Sequence, residues 1–182
     1  GRAGDHAGRS GNAVRPLRRL RVFSPTTERR KAFVDSAASR FDFDVVDSPT
    51  LEVATRDASI VTLVTRAKDP FLRASMLARG AHLNAVGAIL PANAEFAQDV
   101  FDRAELIAVD DVPNARRASR ELIERFGSDD AAWGAVKPLG ELIARGYRVV
   151  GVDASEAMLA LARERLGPEV VLSRMTLPEL TV

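Results

Sequence analysis

Short apolar runs alternate with helix-like stretches along this chain, and no other feature constrains its fold as tightly. Residues 20–24, 41–46, 59–65, 81–86, 106–110, 147–152 and 170–172 read as strands. Between them, a helix capped at Thr26 or Thr27 runs to about residue 40, with Glu28 in its first turn. Further helices read over 49–57, 94–103, 113–126, 139–145 and 155–166; Pro113 suits a first turn, and Gly127 and Gly146 are stops. Residues 128–133 read as a connector. Strands separated by helices at this spacing predict an α/β fold built on a doubly wound, mostly parallel sheet. The stretch 59–65, SIVTLVT, is apolar almost throughout, as expected of a strand buried on both faces.

Composition narrows the function classes. With 182 residues, the chain is long enough for one domain, or one plus a fragment. A net charge of +1 supplies no global field for nucleic acid. Nine Lys or Arg fall within residues 1–31, against Asp5 and Glu28. Phe23 is the one aromatic among them, so the run reads as a solvated surface rather than a basic arm for phosphate. Cysteine is absent, which excludes disulfides and thiolate metal sites. No apolar run approaches membrane-span length and no signal peptide is read, so a cytoplasmic protein is expected, with no membrane partner.

In a doubly wound sheet, ligands bind beyond the carboxyl ends of the strands. That rule selects 24–26, 65–68, 86–88, Asp110, Asp111 and Asp153. The stretch GAHLNAVGAILP, residues 80–91, is the most distinctive of these neighbourhoods. Glycine at the Val86-Gly87 corner either lets the backbone approach a flat ligand or makes a plain strand-end turn. His82 lies inside the strand and reads as a structural histidine rather than a base.

Residues 61–111 resemble the ornithine cyclodeaminase/mu-crystallin family. The resemblance is carried by Thr65, Asp69-Pro70, Gly80 to Ala88 (GAHLNAVGA), Pro91, Glu95 and Val109-Asp110, in that order. A looser similarity extends over about residues 1–145, including Val22 to Ser24, Thr26, Glu28-Arg29 and the stretch from Trp133 to Gly146. It implies a Rossmann-type domain that binds NAD or NADP, with Val86 and Gly87 against the nicotinamide. Members reduce cyclic imines, dehydrogenate amino acids or cyclise ornithine, which implies a small amino or imino acid as substrate. The implied cofactor-binding residues are Gly1, Gly4, Ser24, Thr26, Arg29, Thr65, Asn84, Val86 and Gly87.

Two departures shape the expected activity. Cyclodeaminases carry a catalytic Asp two residues before the proline that follows the corner, and Ile89 stands there. Imine reduction or amino-acid dehydrogenation is therefore expected over ornithine cyclodeamination, and no catalytic residue is assigned. Many members also place an Arg after the second strand of the fold; Pro25 stands there, which leaves the ribose to Ser24, Thr26 and Arg29. The glycine-rich phosphate loop is reached only in part. In the family register, Gly1 and Gly4 fall on its second glycine and third small residue, so the domain is expected to lack its first strand. The family's amino-terminal domain is likewise expected to be missing. An unpaired sheet edge then predicts marginal stability, a homodimer or self-association.

A second signature follows. Residues 146–159, GYRVVGVDASEAML, with Ala162-Arg163, resemble the second strand and helix of class I S-adenosylmethionine-dependent methyltransferases. There an acidic residue at the strand end accepts both ribose hydroxyls, and Asp153 holds that position. The sequence thus reads as a nicotinamide-cofactor domain over 1–145 joined to a methyltransferase-like fragment over 146–182. The alternatives are S-adenosylmethionine binding or a non-catalytic chimeric product. The strand at 147–152 is expected to fill a vacant place in the sheet.

Overall fold

The computed structural model describes residues 17–144, 150–153, 160, 163–164 and 171–174, with side chains for 17–142, 160, 163 and 164. The chain divides into two compact units, Ser48–Leu142 and the stretches on either side of it.

The first unit opens with a parallel βαβ turn. Strand β1 (Arg19–Val22) leads through helix α1 (Thr27–Ala38) to β2 (Asp44–Asp47). The strands pair in parallel, Arg19 opposite Asp44 and Val22 opposite Asp47. Arg30 is buried on α1 and holds this turn together. Its Nε meets Asp47 Oδ1, and its Nη1 donates to the Ser24 carbonyl (2.8 Å). One guanidinium thus ties the exit of β1 to the end of β2, which its forked donors allow. The same unit holds β7 (Val150–Asp153) and β8 (Val171–Arg174), also parallel. Among the described residues β1 pairs only with β2 and β7 only with β8, so β7 is not seen to fill a vacant place in a larger sheet.

The second unit contains α2 (Leu51–Thr55), β3 (Ile60–Leu63), β4 (His82–Ala85), β5 (Ile107–Val109), α3 (Val112–Ala118), α4 (Arg120–Phe126), α5 (Asp130–Trp133), β6 (Val136–Pro138) and the greater part of α6 (Leu139–Ala144). β3 pairs with β4 and β5 with β6, each in parallel. The expected α/β class with parallel strands is therefore what the chain forms, as strand pairs among the described residues.

Three expectations need correction here. β3 is buried on one face only: Val61 and Leu63 point into a cluster with the fully buried Leu72, while Thr62 and Val64 are exposed. The expected helix over 94–103 is instead an extended strap followed by a short 3-10 turn, Gln98–Arg103. The strap cannot be helical because its backbone is already engaged elsewhere. Ala94 N–H donates to Ala67 O, Glu95 O accepts from Phe71 and Leu72, and Ala97 N–H donates to Leu72 O. The expected helix over 113–126 is broken at Ser119, whose extended backbone ends α3 and whose hydroxyl caps α4 by accepting from Leu122 N–H (3.4 Å). Gly127 does end α4, at φ 54°.

Aromatic rings run through the larger core of this unit. Phe96, Phe101, Phe126 and Trp133 form a chain of contacts with centroids 5.2, 5.9 and 5.4 Å apart. Trp133, read from the sequence as part of a connector, is 3% exposed and donates its indole N–H to Gly127 O (3.0 Å). Phe96 also packs on the Val61–Leu63–Leu72 cluster, so the strap joins both cores.

Candidate functional site

The carboxyl ends of β3 and β4 meet at the motif that the sequence singles out. The ladder continues one step past the strands, where Val86 N–H donates to Leu63 O (3.1 Å). Thr65 and Gly87 come next, and both turn their N–H groups to one side chain. Glu95 Oε1 accepts from Thr65 N–H (2.5 Å) and Oε2 from Gly87 N–H (2.9 Å). Glu95 is 0% exposed. Its own N–H donates to Glu121 Oε1 (2.8 Å), and Glu121 is buried as well. Gly87 must be glycine here: a Cβ would fall on the Thr65 backbone and on Glu95 Oε1. The glycine therefore serves a close approach of backbone to backbone, whatever ligand lies beyond it. At the other end of the motif, Gly80 takes φ 73°, which turns the chain into β4.

The outward side of this corner is apolar. Val86 is 57% exposed, Val64 71% and Ile89 68%. Exposed Ile89, where an acid was sought, has no titratable group. Along the outward face of β4, His82 Nε2 lies 2.8 Å from Asn84 Oδ1, and Asn84 Nδ2 donates to Thr62 Oγ1 (3.3 Å). Asn84 is thus engaged in a row across the strand pair. His82 is an exposed member of that row, paired with Asn84.

The other predicted residues lie in the first unit. Ser24 follows β1, and its Oγ accepts from Thr26 N–H (3.4 Å). Thr26 is the N-cap of α1 by backbone, yet its side chain makes no capping bond. Arg29 is exposed in the first turn of α1, whereas the adjacent Arg30 is consumed by Asp47 and Ser24. Thr26 and Arg29 thus keep their polar groups available, while Arg30 does not. Asp111, noted as a strand-end residue, has a structural use: it caps α3 by accepting from Asn114 N–H (2.6 Å). Asp153 ends β7 opposite Arg174, but its side chain lies outside the described residues, as do Gly1 and Gly4. The helix expected over 155–166 also falls largely outside them.

Thr65, Val86 and Gly87 are brought together, with Asn84 beside them on β4. Glu95 and Glu121 were missed as functional candidates, although Glu95 already marked the motif. A shallow pocket of about 290 Å³ is lined by Glu52, Thr55, Arg56, Ser75 and Met76, and none of the predicted residues borders it. Among the described residues no group of three or more His, Asp or Glu could hold a metal. None of their helices is long and apolar enough to cross a membrane.

Parallel strands, βαβ crossovers and a glycine corner at the strand ends define a Rossmann-like domain. The fold resembles that of a Thermococcus litoralis Δ1-pyrroline-2-carboxylate reductase solved with NADH and L-proline. The TM-score is 0.66 at 18% identity, over 74% of this chain and 42% of that one. It also resembles an archaeal alanine dehydrogenase dimer with bound NAD, at TM-score 0.61 and 23% identity over 71% and 39% of the two chains. A probable ornithine cyclodeaminase from Bordetella pertussis Tohama I matches at TM-score 0.59 and 19% identity, over 91% of this chain and 48% of that one. In sequence, the chain is 30% identical over 132 residues to an uncharacterized cyclodeaminase of Sinorhizobium fredii, which is 72% of this chain and 40% of the relative. The sequence model of the ornithine cyclodeaminase/mu-crystallin family matches residues 8–143, and the chain belongs to that family. It spans about 40% of the length of its curated relative.

Proposed function

We propose that this chain is the nicotinamide-cofactor-binding portion of an oxidoreductase acting on a small amino or imino acid. The observation that carries the reading is the Thr65/Val86-Gly87 corner: two adjacent parallel strands end together, bound to one buried carboxylate, under an exposed apolar rim. Such a corner suits one face of a flat, partly apolar ring at the end of a parallel sheet. The residues also fit the ribose of a dinucleotide, because Thr26 has a hydroxyl without a capping bond and Arg29 is an exposed cation. Bound there, NAD(H) or NADP(H) would give or take a hydride. Val86 and Gly87 would orient the ring; the family register assigns Ser24, Thr26 and Arg29 to the ribose or its phosphate. Gly1 and Gly4 are assigned to the pyrophosphate by the family register alone.

Ile89 directs the choice of reaction. An apolar side chain can exclude water but cannot exchange a proton, so imine reduction or amino-acid dehydrogenation suits this corner better than cyclodeamination. The S-adenosylmethionine reading at Asp153 rests on the sequence resemblance alone. The fold of a probable ornithine cyclodeaminase covers 91% of the chain, more than the span matched by the family model. Isothermal titration with NADH, NADPH and S-adenosylmethionine tests the choice. Heat of binding with a nicotinamide cofactor is expected; binding of S-adenosylmethionine alone would replace this reading with methyl transfer.

A further inference from the structure

We propose that Glu95 is the positioning residue of the nicotinamide corner, clipping the outgoing ends of β3 and β4 together where the sheet ladder stops. The inference rests on the cofactor reading above. Leu63 is opposite Ala85 in the ladder, so two residues further on Thr65 is opposite Gly87. There each N–H donates to a different oxygen of one carboxylate, at 2.5 and 2.9 Å. An ionised carboxylate suits this place because both of its oxygens accept and neither donates.

The clip is anchored as well as paired. Glu95 N–H is held by Glu121 Oε1 (2.8 Å), and Glu95 O receives the N–H groups of Phe71 and Leu72 (both 3.1 Å). Glu121 is held in turn on α4, where its carbonyl accepts from Gln98 Nε2 (3.1 Å). Glu95 is wholly buried and presents nothing to a ligand. It acts through Val86 and Gly87, whose outward surface it sets. The absent Cβ of Gly87 completes the fit, because its place is taken by the Thr65 backbone and by Glu95 Oε1 itself.

The test uses the full chain, with Glu95→Gln and Glu95→Asp as variants. Glutamine keeps the shape but sets an amide NH₂ against a backbone N–H; aspartate keeps both acceptors on a stem one methylene too short. NADH and ADP-ribose affinities are measured by calorimetry, and amide exchange at Thr65 and Gly87 by NMR without ligand. Glu95→Gln is expected to weaken NADH about 10- to 100-fold, the loss that follows from small misplacement of a binding group, with ADP-ribose affinity kept. Exchange at Thr65 and Gly87 should quicken while β5 and β6 amides hold their protection. Should Glu95→Gln fail to fold, Glu95→Asp is read in its place, with the same pattern in smaller amplitude. Unchanged NADH affinity, or an equal loss for both ligands with uniformly faster exchange, would overturn the positioning role. A wild-type chain that binds neither ligand would defeat the cofactor reading and the positioning role with it. In that event, unchanged exchange at Thr65 and Gly87 in the variant would overturn the clip as well.

Discussion

Adding a single methyl group at Gly87 should cost this protein more than any change its size suggests. In Gly87→Ala, the new carbon would overlap the Thr65 N and O atoms and Glu95 Oε1. Two of those three atoms are backbone at the exit of β3, so no rotamer change relieves the overlap. The strand ends must part, and the N–H groups of Thr65 and Gly87 then pull away from the buried carboxylate. Overpacking of this kind costs about 1–3 kcal/mol. A weakened hydrogen bond to a buried charged group adds about 1.5–3 kcal/mol. Together these give a loss of roughly 3–5 kcal/mol, against a total stability of about 5–15 kcal/mol for a typical domain. Gly140→Ala is the matched control. It lies in α6 with nothing within 4 Å of the added carbon, so helix propensity predicts a gain of about 0.5–1 kcal/mol. Urea unfolding followed by circular dichroism separates the two. With a slope of about 1–3 kcal/mol per molar, Gly87→Ala should lower the midpoint by about 2 M. A Gly87→Ala chain within 1 kcal/mol of wild type would refute the clipped corner.

Other consequences can be read in the same way. Arg30→Ala should destabilise the chain by about 2–4 kcal/mol in urea unfolding, because it strands Asp47 and the Ser24 carbonyl; Arg30→Lys should recover less than half, lacking the fork. Ser119→Ala removes the hydroxyl that starts α4 and should cost about 0.5–2 kcal/mol by the same measurement. The Glu52 carboxyl is held below its ordinary 4.5, first by its backbone hydrogen bond and then by the Thr50 hydroxyl. A lowered folded value means that ionisation favours the fold. That contribution is complete above pH 4.5 and is lost as pH falls through the lowered value. A carboxyl-carbon NMR titration should place the Glu52 midpoint below 4.5, and a midpoint above it would contradict the bonding seen at the start of α2.

What the sequence disclosed, and what it hid, follows from the range of the interactions involved. Strand and helix alternation is local and was legible: the seven expected strands and the helices expected over 26–40, 49–57 and 139–145 stand close to their places, and Gly127 ends α4 as read. The Val86-Gly87 corner was legible as a motif, but the reason for its glycine was not. That reason is a carboxylate eight residues further along, on a strap whose spacing of Ala94, Ala97 and Phe101 imitates a helix. Hydrogen bonds to Ala67, Leu72 and Glu121 override that local pattern, and no periodicity announces them. Arg29 and Arg30 are alike in sequence; only the turn of α1 sends one into Asp47 and leaves the other exposed. The apolar run of β3 suggested burial on both sides, yet Val64 and Val86 continue an exposed face. Ser119, in the middle of an arginine-rich helical stretch, carried a capping signal that the surrounding helix formers masked.

The central claim is that the Val86-Gly87 corner receives the nicotinamide ring. The most direct measurement is the backbone amide spectrum of the chain, titrated first with ADP-ribose and then with NADH. The account predicts that ADP-ribose leaves Thr65, Val86 and Gly87 unmoved, and that NADH shifts all three. NADH binding that leaves those three amides in place, or no binding at all, would contradict it.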